Sequence, residues 1–150
     1  MVKISYMQLA LDKARSAALS GEVPVGAVVV DPARSQILAL AGNRMEELGD
    51  PTAHAEMIAI RRATENIGQP RLVGCDLYVT LEPCPMCAAA ISLARVRRLY
   101  FGAYDMKGGG VEHGPRIFQQ TSCNHKPEII GGMQEKESGL LLAKFFRTRR

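Results

Sequence analysis

Leu77-Tyr78-Val79-Thr80-Leu81-Glu82-Pro83-Cys84-Pro85-Met86-Cys87-Ala88-Ala89-Ala90-Ile91 decides the architecture of this chain. Leu77 to Leu81 is apolar, aromatic and β-branched, which predicts a strand. Glu82-Pro83-Cys84 breaks it. Pro85 then stands where a first helical residue would, a position that tolerates its missing N–H, ahead of a small-residue helix from Met86 to Ala94. A strand thus runs into a helix through a turn that carries cysteine.

Upstream, Ser5 and Gln8 have the spacing of a capping box. Met7, Ala10, Leu11, Ala14, Ala17 and Ala18 then mark one face of a helix that stops at Gly21. Val25 to Val30 reads as a strand covered on both faces, and Asp31-Pro32 turns it towards a second strand near Ile37 to Ala41, making a hairpin. Thr52 is the expected cap of a helix that buries Ala53, Met57 and Ile60 and leaves Arg61 and Arg62 outside.

Downstream, Leu99 to Phe101 is a strand, Gly108-Gly109-Gly110 through Pro115 a loop, Glu128 to Ile130 a short strand, and Gln134 to about Arg147 a closing helix whose continuity Gly139 opposes. Strands alternating with helices predict an α/β fold with helices on both faces of a sheet, and the hairpin makes that sheet mixed. No repeat or linker interrupts residues 1–150, so a single domain is expected.

A chain of 150 residues that is 47% hydrophobic can bury roughly two-thirds of its unfolded surface without a disulfide staple. Its 19 basic against 15 acidic residues tolerate a polyanionic partner without demanding one. Asp12, Lys13 and Arg15 interrupt the first apolar stretch, and Val25 to Val30 is far too short to span a bilayer, so the expectation is no membrane and a cytoplasmic location. Cys75, Cys84, Cys87 and Cys123 are then reduced thiols or metal ligands.

Cys84 and Cys87 fall in the first turn of a helix, where unpaired N–H groups favour thiolates, which bind zinc. A strand, Cys-x-x-Cys and a helix also build redox dithiols, however. His54-Ala55-Glu56, after a turn and at another predicted helix start, separates the two readings, because a redox pair does not need it. Alone, a His there ordinarily caps or meets solvent, and a Glu complements the dipole. In order, His-x-Glu followed by Pro-Cys-x-x-Cys is the pattern of a zinc site with three protein ligands and one position open to water, beside a carboxylate placed to carry protons. Cys75, His113, Cys123 and His125 are the only other Cys and His residues that could close that position.

Glu22-Val23-Pro24-Val25-Gly26-Ala27-Val28, Asn43-Arg44, Asp50-Pro51-Thr52-Ala53-His54-Ala55-Glu56, Tyr78-Val79-Thr80-Leu81-Glu82-Pro83-Cys84 and Phe145-Phe146-Arg147 together resemble the successive blocks of the cytidine deaminase-like superfamily, most closely the bacterial tRNA-specific adenosine deaminases. The resemblance implies a three-layer α/β/α fold on a mixed sheet of about five strands and a homodimer. It implies one Zn²⁺ per chain on His54, Cys84 and Cys87, with Glu56 as the catalytic acid and base. The implied reaction is hydrolytic deamination of adenosine to inosine at the wobble position of a tRNA anticodon stem-loop, using zinc-activated water. It also implies that Asn43, Pro24, Val25 and Phe146 line or close the base pocket and that Asp105 contacts the flanking backbone. Met106-Lys107-Gly108-Gly109-Gly110-Val111-Glu112-His113-Gly114-Pro115 departs from the family's more usual pattern.

Three other readings stay open at this level: a deaminase of free cytidine or guanine on the same fold, a silent zinc-containing RNA-binding subunit, and a redox protein. Lys144-Phe145-Phe146-Arg147-Thr148-Arg149-Arg150 favours RNA over a free base, since rings and cations together can stack on bases and grip phosphates. Phe145 and Leu141, one turn apart, are expected in the core. Glu56 opposes a silent subunit.

Overall fold

A computed structural model describes residues 5–149. Five strands form one sheet in the order β2-β1-β3-β4-β5, namely β1 (Gly26–Asp31), β2 (Gln36–Gly42), β3 (Asp76–Leu81), β4 (Arg98–Ala103) and β5 (Glu128–Ile130). β1 runs antiparallel to both β2 and β3, whereas β3, β4 and β5 are mutually parallel. The mixed five-stranded sheet is the one expected.

Helices α1 (Tyr6–Leu19) and α5 (Glu135–Thr148) cover one face, while α3 (Ala55–Ile67) and α4 (Pro85–Leu93) cover the other. The period of two along each strand sorts the core between them. Val28 and Val30 pack with Met7 and Leu11 of α1, whereas Ala27, Val29, Leu77, Val79, Leu99 and Phe101 pack towards α3 and α4. Because both faces are covered, Val28, Val29 and Val30 are all fully buried, as a continuous apolar run requires.

Ser5 Oγ accepts the Gln8 N–H at 3.2 Å and starts α1. Ala10, Ala14 and Ala17 let this helix lie close against the sheet, so close that a Cβ on Gly26 would stand 2.8 Å from Ala14 N. Gly139 does not interrupt α5. Two short elements escape sequence patterning, α2 (Met45–Leu48) and a 3₁₀ turn (Ile117–Gln119). Buried Glu22 anchors α2 by accepting the N–H groups of Glu46 and Glu47 at 3.0 and 2.9 Å.

The expectation that Thr52 caps the next helix is corrected. Asp50 Oδ1 accepts from both Thr52 N and Thr52 Oγ1, at 2.8 and 2.7 Å, which holds the hydroxyl in the preceding turn. α3 starts three residues later, with His54 as its N-cap residue. Among the described residues no helix is long and apolar enough to cross a membrane.

Candidate active site

His54 precedes α3 and Cys84 precedes α4, both with extended backbone and neither spending its side chain on a cap. Pro85 occupies the start of α4 and Cys87 follows in its first turn. The side chains of both helix-leading residues are therefore free to reach beyond the helix ends, and they meet. His54 Nδ1 lies 3.6 Å from Cys84 Sγ and 3.5 Å from Cys87 Sγ, and the three ligand atoms fall within 4.8 Å of one another. A tetrahedral zinc with ordinary Zn–S and Zn–N bonds sets neighbouring N and S atoms about 3.6 Å apart, so the donor set fits that ion.

The remaining Cys and His residues lie elsewhere. His113 Nδ1 is 2.8 Å from Glu82 Oε1, and His125 Nε2 is 2.6 Å from the Val96 carbonyl. Cys123 bonds the His125 carbonyl, and Cys75 the Val73 carbonyl. None of the four cysteines forms a disulfide. With three protein donors, a tetrahedral ion keeps one position for water.

Electrostatics in the cluster are strongly coupled. The Cys84 thiol is held down to about 4, first by the hydrogen bond from Cys87, with His54 helping. Cys87 is pushed up by that same bond to Cys84 and by burial. His54 is raised because its bond to Cys84 outweighs the opposing effect of burial. Without a cation the site thus shelters one thiolate beside a thiol; a bound divalent ion would deprotonate both. Glu56, on the first turn of α3 and only 4% exposed, is pushed up to about 7, mainly by burial. A carboxyl so tuned can both take and return a proton near neutrality.

These groups sit at the end of a cavity of about 240 Å³ at the carboxyl ends of β3 and β4. His54, Glu56 and Cys84 line its chemical end, and Val23, Val25, Met45 and Leu81 supply apolar walls. Asn43 and Asp105 add polar groups. Asn43 is already engaged: Nδ2 donates to the Val23 carbonyl at 3.1 Å and Oδ1 accepts the Ala55 N–H at 2.8 Å. It thereby supplies α3 with the cap that His54 withholds, while retaining one N–H and one lone pair for a ligand. Asp105 Oδ1 accepts the N–H groups of Lys107 and Gly108, at 3.1 and 2.8 Å.

The cavity therefore gathers Asn43, Val25 and Asp105 with His54, Glu56 and Cys84, and Cys87 lies buried behind them. Pro24 is buried between two lining valines without forming the wall itself. Phe146 is not in the wall; it is 51% exposed on α5, its ring edge-on to Phe145. Phe145 and Leu141 are half-buried, and the Arg149 guanidinium lies 4.5 Å from the Phe145 ring centre. Arg150 lies outside the described residues. Val23, Met45, Leu81, Glu82 and Gly108 join the lining without having been singled out by the sequence pattern. Of these, only Glu82 carried a signal, as an acidic residue directly before Pro83-Cys84.

Residues 2–103 match the cytidine and deoxycytidylate deaminase zinc-binding region. The chain is 57% identical to a tRNA-specific adenosine deaminase of Agrobacterium fabrum, over 97% of this chain and 94% of that one. It is 45% identical to the tRNA-specific adenosine deaminase of Bacillus subtilis, over 97% and 89% of the two chains. A solved structure from work on A-to-I editing by tRNA:A34 deaminases at the wobble position of transfer RNA superposes with a TM-score of 0.89 at 57% identity, covering 91% of this chain and 98% of that one. Guanine deaminase from Nitrosomonas europaea shares the fold, with a TM-score of 0.81 at 20% identity over 97% and 86% of the chains.

Proposed function

Because this chain belongs to the cytidine and deoxycytidylate deaminase zinc-binding family, among the tRNA-specific adenosine deaminases, we infer that it converts adenosine to inosine at the wobble position of a tRNA anticodon. The observation that carries the reading is the meeting of His54, Cys84 and Cys87 beside buried Glu56 in one cavity. His54, Cys84 and Cys87 would hold one zinc per chain. Zinc in such a site acts as a Lewis acid that makes water acidic enough to attack carbon near neutral pH.

The rest of the chemistry belongs to the chain. Water adds at C6 of adenine, the C6–N bond breaks, and ammonia leaves. Glu56 takes the proton that water gives up and passes it to the ring nitrogen beside C6; it then takes the second proton from the new C6 hydroxyl and hands it to the departing amine, leaving the carbonyl of inosine. Burial raises its carboxyl above the usual carboxylate range, which favours its accepting a proton. Val23, Val25, Met45 and Leu81 offer an apolar slot for one flat base, and Asn43 presents its spare amide hydrogen and lone pair to the purine edge. Asp105 stands where the backbone of a flanking nucleotide would pass. Pro24 stiffens the Val23 to Val25 wall, and Phe146, which stands outside that wall, is assigned to pocket closure by the family resemblance alone.

Lys144 and Arg147 on α5, with Arg149 just past its end, would grip the anticodon stem-loop, with exposed Phe146 available for stacking. The proposed assembly is a homodimer of one deaminase domain, residues 1–150, in the cytoplasm, where the metal-binding thiols stay reduced. Leu93, 76% exposed on α4 beside a shallow cavity lined by Ala89, Ile117 and Cys123, supplies apolar surface for such an interface. Purified protein incubated with an anticodon stem-loop bearing a wobble adenosine is expected to yield inosine. Unchanged RNA together with rapid turnover of free cytidine or guanine would replace this reading with a free-base deaminase.

A further inference from the structure

Glu82 belongs to no step of the deamination, yet its carboxylate is the most heavily engaged group beside the site. The side chain is wholly buried, two residues before Cys84. Oε1 accepts the Asp105 N–H at 3.1 Å and faces His113 Nδ1 at 2.8 Å. Oε2 accepts the N–H groups of Val111, Glu112 and His113 at 3.2, 2.9 and 3.1 Å. Five donors saturate a carboxylate, which offers about four lone-pair sites.

All five donors come from one loop, residues 105–113, and that loop carries Asp105 and Gly108 into the cavity wall. Val111 seats its far end in the core, but residues 106–110 have little side-chain packing of their own. Met106, Lys107 and Gly108 are exposed, while Gly109 and Gly110 have no side chain to pack. The glycines are required, since a Cβ on Gly109 would overlap the Glu82 carboxylate and one on Gly110 would stand 2.5 Å from Pro85 N. The loop is therefore drawn onto the turn that bears Cys84, and Gly110 N also donates to the Pro83 carbonyl at 2.8 Å.

We propose that Glu82 and His113 are positioning residues that fix the RNA-facing wall of the cavity relative to the metal ligands: the carboxylate ties residues 105–113 to the Cys84 turn, and the His113 ring supplies the side-chain part of that tie. This inference rests on the tRNA deaminase reading. Four of the five donors are backbone groups, so replacing Glu82 removes all five bonds at once. His113 is the part that can be altered alone. Its ring does not line the cavity; it lies edge-on to Tyr104, 6.1 Å between centres. Losing its N–H loosens the wall that RNA meets and leaves His54, Glu56, Cys84 and Cys87 in place. The expected effect is on substrate binding, not on the chemical step.

The test compares zinc-loaded wild type, His113→Phe, which keeps a ring without the donor, and His113→Asn, whose amide can restore the donor. Steady-state turnover of the anticodon stem-loop is read alongside stem-loop affinity in a Glu56→Ala background, which reports binding without chemistry. We expect His113→Phe to keep its zinc, raise KM and Kd roughly tenfold, and hold kcat within about threefold. His113→Asn should recover most of that loss. If His113→Phe does not fold, His113→Ala takes its place against the same Asn rescue. KM unchanged, kcat and zinc lost together, or Asn behaving like Phe would each overturn the proposal. Wild type that leaves the stem-loop unedited would overturn the functional reading instead, so the two failures are distinguishable.

Discussion

His54 Nδ1 and Cys87 Sγ stand 3.5 Å apart across 33 positions of sequence, the N-to-S edge of a zinc tetrahedron. If that geometry exists to hold an ion, removing one donor should release it. Elemental analysis is expected to find about one zinc per wild-type chain and almost none in Cys87→Ser. Binding at roughly a thousand times Kd stabilises by about 4 kcal/mol, so chelation should lower Tm by about 10 °C. Equal zinc content in the two proteins would contradict the assignment.

Glu56 is expected to act on protons and not on the metal. Its carboxyl is not among the three gathered ligand atoms, and the cavity places it beside them. Glu56→Gln should therefore retain zinc while stem-loop deamination falls by at least 10²- to 10⁴-fold, the usual scale of general acid–base catalysis. Normal turnover by that variant would refute the mechanism.

The same residue makes the metal-free protein sensitive to pH. Burial raises the Glu56 carboxyl from 4.5 to about 7 in the folded chain. A group raised on folding contributes its full stabilisation below its unfolded value and loses it as pH climbs through the folded one. Metal-free wild type should thus lose up to about 3 kcal/mol relative to metal-free Glu56→Gln between pH 4.5 and 7. His54 and Cys87 also feel the Glu56 charge, so the difference reports Glu56 together with its effect on these neighbours. Urea unfolding at several pH values measures it, and a constant gap would exclude the shift.

Gly110 presses on the metal-ligand turn. A Cβ there would meet Pro85 N at 2.5 Å and the Cys84 carbonyl carbon at 2.8 Å, both backbone atoms that cannot rotate away. Gly110→Ala should cost about 1–3 kcal/mol and weaken zinc binding, because the displaced atoms carry Cys84. Thermal unfolding and competition with a chromophoric chelator would detect the two effects.

Gly139 is the opposite case. It lies inside α5 with open space where a Cβ would stand, nothing being within 4 Å, and its backbone is not left-handed. Gly139→Ala should stabilise the chain by roughly 0.5–1 kcal/mol, seen as a Tm increase of about 1–4 °C. A fall in Tm would mean that this helix face meets a partner.

Elements with a strong local signature were legible in the sequence. Val25 to Val30 read as a strand buried on both sides, and Pro85 as the first residue of a helix, and both elements form. Thr52 misled because its hydroxyl had a closer acceptor in Asp50, and Asn43, twelve positions before Ala55, took over the capping of α3. No periodicity reports such an exchange, because it depends on two loops meeting in space.

By itself the sequence determined the alternation of strands and helices, the mixed sheet and the choice of His54, Cys84 and Cys87 as candidate metal ligands, since each is written in local spacing or residue chemistry. Only the tertiary structure decided that two helix starts converge on one point, that buried Glu82 holds the loop opposite, and that Phe146 stands outside the cavity wall. These are relations between segments remote in the chain, set by how α3 and α4 pack on the sheet, and packing is a property of the whole fold.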